Sequence, residues 1–223
     1  MRTPLLPGQL LLPEKIVSGR DSVLRLPEEC RKFGARGMVV HGNSLKNNGV
    51  LDRILDGFRE SGAVPAFLCR PGGEPSLSDV AEVIAAAGEH QAQWIAGIGG
   101  GSILDLAKAA AGLCNSSQPP EAHQRGKPLS EKGIPFVAVP TTAGTGAEVT
   151  RNSVIINRAT GEKKSIRADT MVAAAVVLDP ALVRDCPPKV IADAGMDVFT
   201  QAIESLGSRN ATWFSEPLSL KGV

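Results

Sequence analysis

Three stretches of this chain have residue types and spacings that can do chemistry. In the first, a short apolar run, Trp94–Ile98, leads into Gly99, Gly100, Gly101 and Ser102. A segment follows in which Ile103, Leu104, Leu106, Ala107, Ala110 and Ala111 keep a helical period. Residues without a Cβ let the chain turn sharply and let a ligand come close to the main chain. Ser102 stands where an N-cap belongs, and the first turn of the helix offers unpaired N–H groups at the positive end of its dipole. Strand, glycine turn and helix N-terminus together form an anion pocket, most often for phosphate or diphosphate. The competing reading is a tight strand-to-helix turn with no ligand. The second stretch, Pro140-Thr141-Thr142-Ala143-Gly144-Thr145-Gly146, follows the apolar run Ile134–Val139. Its threonine hydroxyls can donate to a phosphate or ribose, or can satisfy their own backbone in a plain turn. In the third, Asp193, Asp197, Gln201 and Glu204 recur at helical intervals within Val190–Leu206. That spacing lines their oxygens along one helix face, either to hold a hard cation or simply to meet solvent.

The elements that must position these residues alternate. Leu10–Val17 reads as an opening strand and Asp21–Phe33 as a helix. Gly37–Val40 is a buried strand, Ser44–Ser61 a helix and Val64–Cys69 a further strand, closed by the turn Pro71-Gly72-Gly73-Glu74-Pro75. Ser76 with Asp79 three residues on starts the next helix, whose apolar face is Val80, Val83, Ile84 and Ala87. Residues 114–133 read as an exposed loop, and Ser153–Asn157 with Lys164–Arg167 as a β-hairpin around Ala159-Thr160-Gly161. Val172–Leu178 is a last strand, and Pro187-Pro188 marks a boundary before the final helix. Strands alternating with helices predict an α/β fold on a parallel sheet. In such sheets ligands bind beyond the carboxyl ends of the strands, where both loops lie.

Composition narrows the function. Of 223 residues, 43% are hydrophobic and the net charge is +1, so no electrostatic footprint for nucleic acid or an acidic membrane is present. The longest apolar run, Met171–Leu178, is far short of the ~20 residues that span a bilayer. Leu5–Leu12 is apolar, but Pro7 and Gly8 interrupt it and no small-residue cleavage site follows, which argues against a signal peptide. Cys30, Cys69, Cys114 and Cys186 form no paired motif for zinc or a disulfide framework. A cytoplasmic location is the default expectation.

Gly99–Lys108 (GGGSILDLAK), Pro140–Glu148 (PTTAGTGAE), Asp179-Pro180 and Gly195–Glu204 (GMDVFTQAIE), in this order, resemble the iron-containing (group III) alcohol dehydrogenase family, relatives of glycerol dehydrogenase and dehydroquinate synthase. The resemblance implies a dehydroquinate synthase-like fold. Residues 1–187 would form a Rossmann-like NAD(P)-binding domain, and residues 188–223 the start of an all-α domain that carries divalent iron or zinc. It makes Gly99, Gly100, Gly101 and Ser102 the diphosphate turn, with Asp105 at the start of its helix. It also implies that Thr141, Thr142 and Thr145 line the cofactor channel and that Lys163 lies near the nicotinamide ribose, with Lys164 as the alternative register. Asp197 matches the carboxylate metal ligand. The implied activity is hydride transfer between nicotinamide and an alcohol or aldehyde, with the metal as Lewis acid.

Three departures qualify what the resemblance implies. The family carries His at the position of Gln201, and an amide oxygen is a poorer ligand for iron or zinc than imidazole. The family's other two histidine ligands lie further along the helical domain, whereas the histidines here are His41, His90 and His123. Gly42 stands where NAD-preferring members carry Asp, so the 2′-phosphate of NADP meets no repulsion, which favours NADP or dual use. The apolar side of Val190–Leu206 (Ile191, Val198, Ile203, Leu206) needs partner helices, which leads us to expect a fragment of a longer enzyme with little turnover of its own. Docking of that face on the nucleotide domain, or on another copy as a homo-oligomer, is the alternative. A non-catalytic nucleotide-binding module and a metal-free reductase are the competing functions.

Overall fold

Short apolar runs alternating with helices bury both their faces only as a parallel sheet covered on each side. In the computed structural model, which describes residues 8–47, 49–184 and 186–223, the chain does this. In order come β1 (Ile16–Ser18), α1 (Leu26–Arg31), β2 (Arg36–His41), α2 (Val50–Ser61), β3 (Val64–Cys69), α3 (Leu77–Glu89), β4 (Ile95–Gly99) and α4 (Gly101–Leu113). Then follow α5 (Pro120–Gln124), β5 (Phe136–Pro140), β6 (Asn152–Asn157), β7 (Glu162–Arg167), β8 (Ala175–Leu178), α6 (Pro180–Arg184), α7 (Pro188–Gly207) and α8 (Ser215–Gly222). A six-stranded, all-parallel sheet has the order β1-β8-β5-β4-β2-β3, and β6 and β7 form a separate antiparallel hairpin. From β2 the chain steps outward to β3, then returns to the other side of β2 for β4, so the strand order reverses between β2 and β4. A crevice opens at such a reversal, beyond the carboxyl ends of the strands.

Alternation along the strands divides the core in two. Met38 and Val40 of β2, Ile95 of β4 and Phe136 and Ala138 of β5 pack with Val80, Val83, Leu104 and Ala107 under the hairpin residues Ile155 and Ile166. Val39, Ala96, Ile98, Val137 and Val139 face the other way, against Leu26, Ile54, Phe58, Trp94 and Val177. Helix α4 is buried from Ile103 through Leu113 except at Asp105, because sheet, α3 and hairpin all cover it. The Ser76–Asp79 start predicted for α3 is present as a reciprocal capping box.

Several boundaries differ from the expected ones, for local reasons. The opening strand is confined to Ile16–Ser18, the residues that pair with Val176–Leu178; β8 itself begins at Ala175, after a 3-10 turn at Asp169–Met171. The helix expected over Asp21–Phe33 is a 3-10 turn, Ser22–Arg25, followed by α1, with Pro27 in the first turn of α1. The helix expected from Ser44 is a 3-10 turn, Asn43–Asn47, and then α2, separated by Gly49 at a φ of +68°, where glycine is favoured. The loop 114–133 contains the short α5. Residues 5–7 of the apolar N-terminal stretch lie outside the described residues. Among the described residues no helix is long and apolar enough to cross a membrane.

Glu29, on α1, is a buried carboxylate at the hub of a cluster of half-exposed basic side chains. It accepts from Lys15 and Lys32, each at 2.7 Å, with Arg25 at 3.8 Å, and the residue is 1% exposed. Burial alone would raise its carboxyl pKa, but the hydrogen bonds and charges of Lys15 and Lys32 outweigh burial and hold it below the ordinary 4.5. With the native value depressed, the cluster stabilises the fold above the unfolded value, and this contribution is lost as pH falls through the native one. Urea denaturation should therefore show wild type losing its advantage over Glu29→Gln as pH drops from neutral to about 3. An advantage that does not change with pH would contradict this role.

Candidate functional site

The carboxyl ends of β2, β4 and β5 open into a cleft of about 1220 Å³. It is lined by Gly42, Gly99, Gly100, Gly101, Ser102, Asp105, Thr141, Thr142, Thr145, Lys163, Asp197 and Gln201 together. Residues singled out from three separate stretches of sequence thus share one cavity. Its floor is the turn after β4. Thr141 N–H donates to the Gly99 carbonyl at 2.9 Å, extending the β4–β5 ladder and setting the glycine and threonine loops side by side.

Here the structure corrects the N-cap assignment. Gly100 is the N-cap, in extended conformation, and α4 begins at Gly101, so Ser102 is its second residue. The Gly100 carbonyl accepts from Ile103 N–H at 3.0 Å and Leu104 N–H at 3.1 Å, and no side chain caps the helix. Helix geometry leaves the N–H groups of Gly100, Gly101 and Ser102 without an acceptor inside the helix. A serine cap would have occupied one first-turn amide; a glycine cap leaves them for an anion.

The glycines also serve the second loop. A Cβ on Gly101 would lie 2.9 Å from Thr145 and one on Gly100 3.3 Å from Thr142, while one on Gly144 would lie 2.7 Å from Ala194 of α7. Turn, threonine loop and α7 are therefore packed in series. Thr145 Oγ1 also accepts from Ala147 N–H at 3.3 Å, so part of this loop does satisfy its own backbone.

Asp105 lines the cleft but is tied to the hairpin. Its Oδ2 accepts from Val154 N–H at 2.9 Å, and Oδ1 is 3.6 Å from Lys108 Nζ. Lys108, fully buried, donates to the Asn152 carbonyl at 2.8 Å and to Thr150 Oγ1 at 3.2 Å. Burial raises the Asp105 pKa and lowers that of Lys108 against their mutual attraction. The motif Asp179-Pro180 is likewise an anchor: the buried Asp179 carboxylate accepts from Val23 N–H at 3.2 Å and Ala181 N–H at 3.0 Å.

Across the mouth, Lys163 of β7 donates to Glu74 of the β3–α3 turn at 2.9 Å. Lys164, the alternative register, pairs with Glu162 and lines a different, smaller pocket. At the end of β2, a Cβ on Gly42 would have Ile103 no nearer than 3.7 Å, so there is room for a bulkier residue. On α7, Gln201 donates to Asp197 Oδ2 at 2.8 Å and Asp193 pairs with Lys189 at 2.9 Å. Of the acidic row, Asp193, Asp197 and Gln201 reach the cleft, and Glu204 is not among its lining residues. Sequence reading missed Lys108, a charge inside an apolar run, and Glu74, which is 89 residues from its partner Lys163. A lysine on the buried side of a helix is the one signal that pointed to the former.

The cleft fits a dinucleotide: it has free main-chain donors, neighbouring hydroxyls and ample volume. The metal is a different case. Among the described residues no cluster of three His, Cys, Asp or Glu side chains exists. Gln201 donates to one Asp197 oxygen, and two oxygen donors do not make the four-ligand set that zinc or iron prefers.

A doubly wound parallel sheet with a glycine turn and bare helix N-terminus at its strand reversal is a nucleotide-binding architecture. The family model of iron-containing alcohol dehydrogenase matches residues 13–180, and the chain belongs to that family. A probable alcohol dehydrogenase, EutG, of Salmonella typhimurium is 38% identical over 214 residues, covering 95% of this chain and 54% of the relative. The structure of NADH-dependent butanol dehydrogenase A from Thermotoga maritima superposes with a TM-score of 0.89 at 26% identity, covering 98% of this chain and 55% of that one. Sulfoacetaldehyde reductase from Bifidobacterium kashiwanohense, solved in complex with NAD+, gives 0.81 at 31% identity, covering 91% and 55%. The chain spans about half the length of the relatives it matches.

Gly101→Ala should cost about 1–3 kcal/mol in urea unfolding, the usual penalty for overpacking, and Thr145→Ala in the same chain should recover much of it. Additive losses would contradict the contact. Lys108→Met strands the Asp105 carboxylate and should cost about 3–5 kcal/mol, with the loss reduced in Asp105→Asn/Lys108→Met. Equal stability of Lys108→Met and wild type would refute the anchoring role.

Proposed function

We propose that this chain is the cofactor-binding half of an NAD(P)-dependent oxidoreductase that interconverts alcohols and aldehydes. The supporting observation is the convergence of the α4 N-terminus, the threonine loop and Lys163 on one cleft at the strand reversal. In this reading the division falls between Pro187 and Pro188, where α7 begins the second unit. Bound nicotinamide supplies the hydride that passes between its C4 and the substrate carbon. The chain's own residues do the holding. Main-chain N–H groups of Gly100, Gly101 and Ser102 take the diphosphate. Hydroxyls of Thr141, Thr142 and Thr145 orient it, and Lys163 exchanges its partner Glu74 for a ribose hydroxyl. Helix α7 walls off one side of the cleft and limits water.

Gly42 supports a preference for NADP. A carboxylate there would repel a 2′-phosphate, and glycine leaves the room open. Because α7 exposes Val190, Ile191, Phe199 and Ile203 and α8 exposes Leu218 and Leu220, and the described residues hold no complete metal set, little turnover is expected of residues 1–223 alone. The substrate is a small alcohol or aldehyde, with neither nucleic acid nor membrane as partner, and self-association through α7 and α8 is compatible with it.

Titration with NADH and NADPH, followed by nicotinamide fluorescence, tests the assignment. Both should bind at or below millimolar concentration, NADPH the more tightly, and Gly42→Asp should weaken NADPH selectively. Absence of binding by either at millimolar concentration would overturn the reading. Equal effects of Gly42→Asp on both would overturn the preference alone.

A further inference from the structure

The glycine turn faces one turn of α7 on which the family resemblance and the geometry disagree. Asp197 and Gln201 are four residues apart, the spacing at which two helix side chains can share one metal ion. Yet the Gln201 amide donates to Asp197 Oδ2 at 2.8 Å. An amide N–H cannot ligate a cation, and in this orientation it holds the carboxylate oxygen that would. Both residues are exposed to the cleft, so neither is forced into the contact by packing. The neighbouring acid is also occupied, with Asp193 paired to Lys189 at 2.9 Å. Cys186 lines the same cleft, but among the described residues no three His, Cys, Asp or Glu side chains come together to hold a metal ion.

We infer that Gln201 has turned this position from half of a transition-metal centre into a hydrogen-bonded carboxylate–amide pair. Asp197 is then oriented by Gln201 instead of by a cation, and it remains a lining residue of the cleft. Identity at residue 201 alone sets whether this helix turn has affinity for iron or zinc. Imidazole four residues after a carboxylate would restore a favourable donor pair, since these metals prefer nitrogen to a neutral amide oxygen. The inference does not depend on dinucleotide binding, and its test is read from the metal alone.

Titration of the 223-residue chain with Co²⁺, followed by visible absorption and calorimetry, makes the comparison. Wild type and Asp197→Ala should be indistinguishable. Gln201→His should gain at least ~10-fold in affinity, the size of effect seen when even an outer partner of a metal site changes. That gain should vanish in Asp197→Ala/Gln201→His. Circular dichroism melting of each variant confirms that these exposed substitutions leave the fold intact. Cobalt binding by wild type that Asp197→Ala or Gln201→Ala abolishes would overturn the inference, as would a Gln201→His chain that gains nothing.

Discussion

A helix that starts in glycine, with no side chain spent on capping it, is the constraint on which the rest of this structure depends. The first amides of α4 have no acceptor inside the helix, and the Gly100 carbonyl closes the first turn by itself. Leaving polar N–H groups bare is tolerable only where water or a ligand can reach them. The strand reversal between β2 and β4 provides that access, because the connections on either side of it leave in opposite directions. Fold and site therefore share one cause: the crossover geometry that opens the cleft also makes the uncapped helix affordable.

Around that helix the packing is arranged so that the cleft stays open while its walls are fixed. Glycines at positions 99, 100 and 101 admit Ile103, Thr142 and Thr145 into spaces a Cβ would fill, so the threonine loop is locked against the turn. On the other side, Lys108 reaches from inside α4 to Asn152 and Thr150, and Asp105 takes Val154 N–H. These bonds pin the hairpin whose second strand carries Lys163. Both charged side chains stand on α4, and each is satisfied only while the hairpin keeps its register against that helix. A resident positive group above the cleft is the result, neutralised by Glu74 at its mouth.

Much of this was legible in the sequence. Short apolar runs alternating with segments of helical spacing gave the parallel α/β sheet, and the two loops fell at strand ends as expected. What was not legible depended on partners distant in the chain. The extents of β1 and β8 are set by how far the two strands lie alongside each other, which no local pattern encodes. Gly49 and Pro27 broke helices whose apolar spacing ran straight through them. Ser102 looked like a cap because serine caps well, but glycine at 100 does so too and came first. Lys164 and Lys163 were indistinguishable in sequence; strand alternation sends one to the cleft and the other to a separate pocket.

The central claim, that the bare amides of α4 hold an anionic dinucleotide, is open to direct measurement by amide NMR of the isotopically labelled chain during addition of NADPH. The account predicts that the largest shifts fall on Gly100, Gly101 and Ser102, with Thr142 and Thr145 moving along the same binding curve. Saturable shifts confined to residues outside this cleft, with the Gly100–Ser102 amides unmoved, would contradict it.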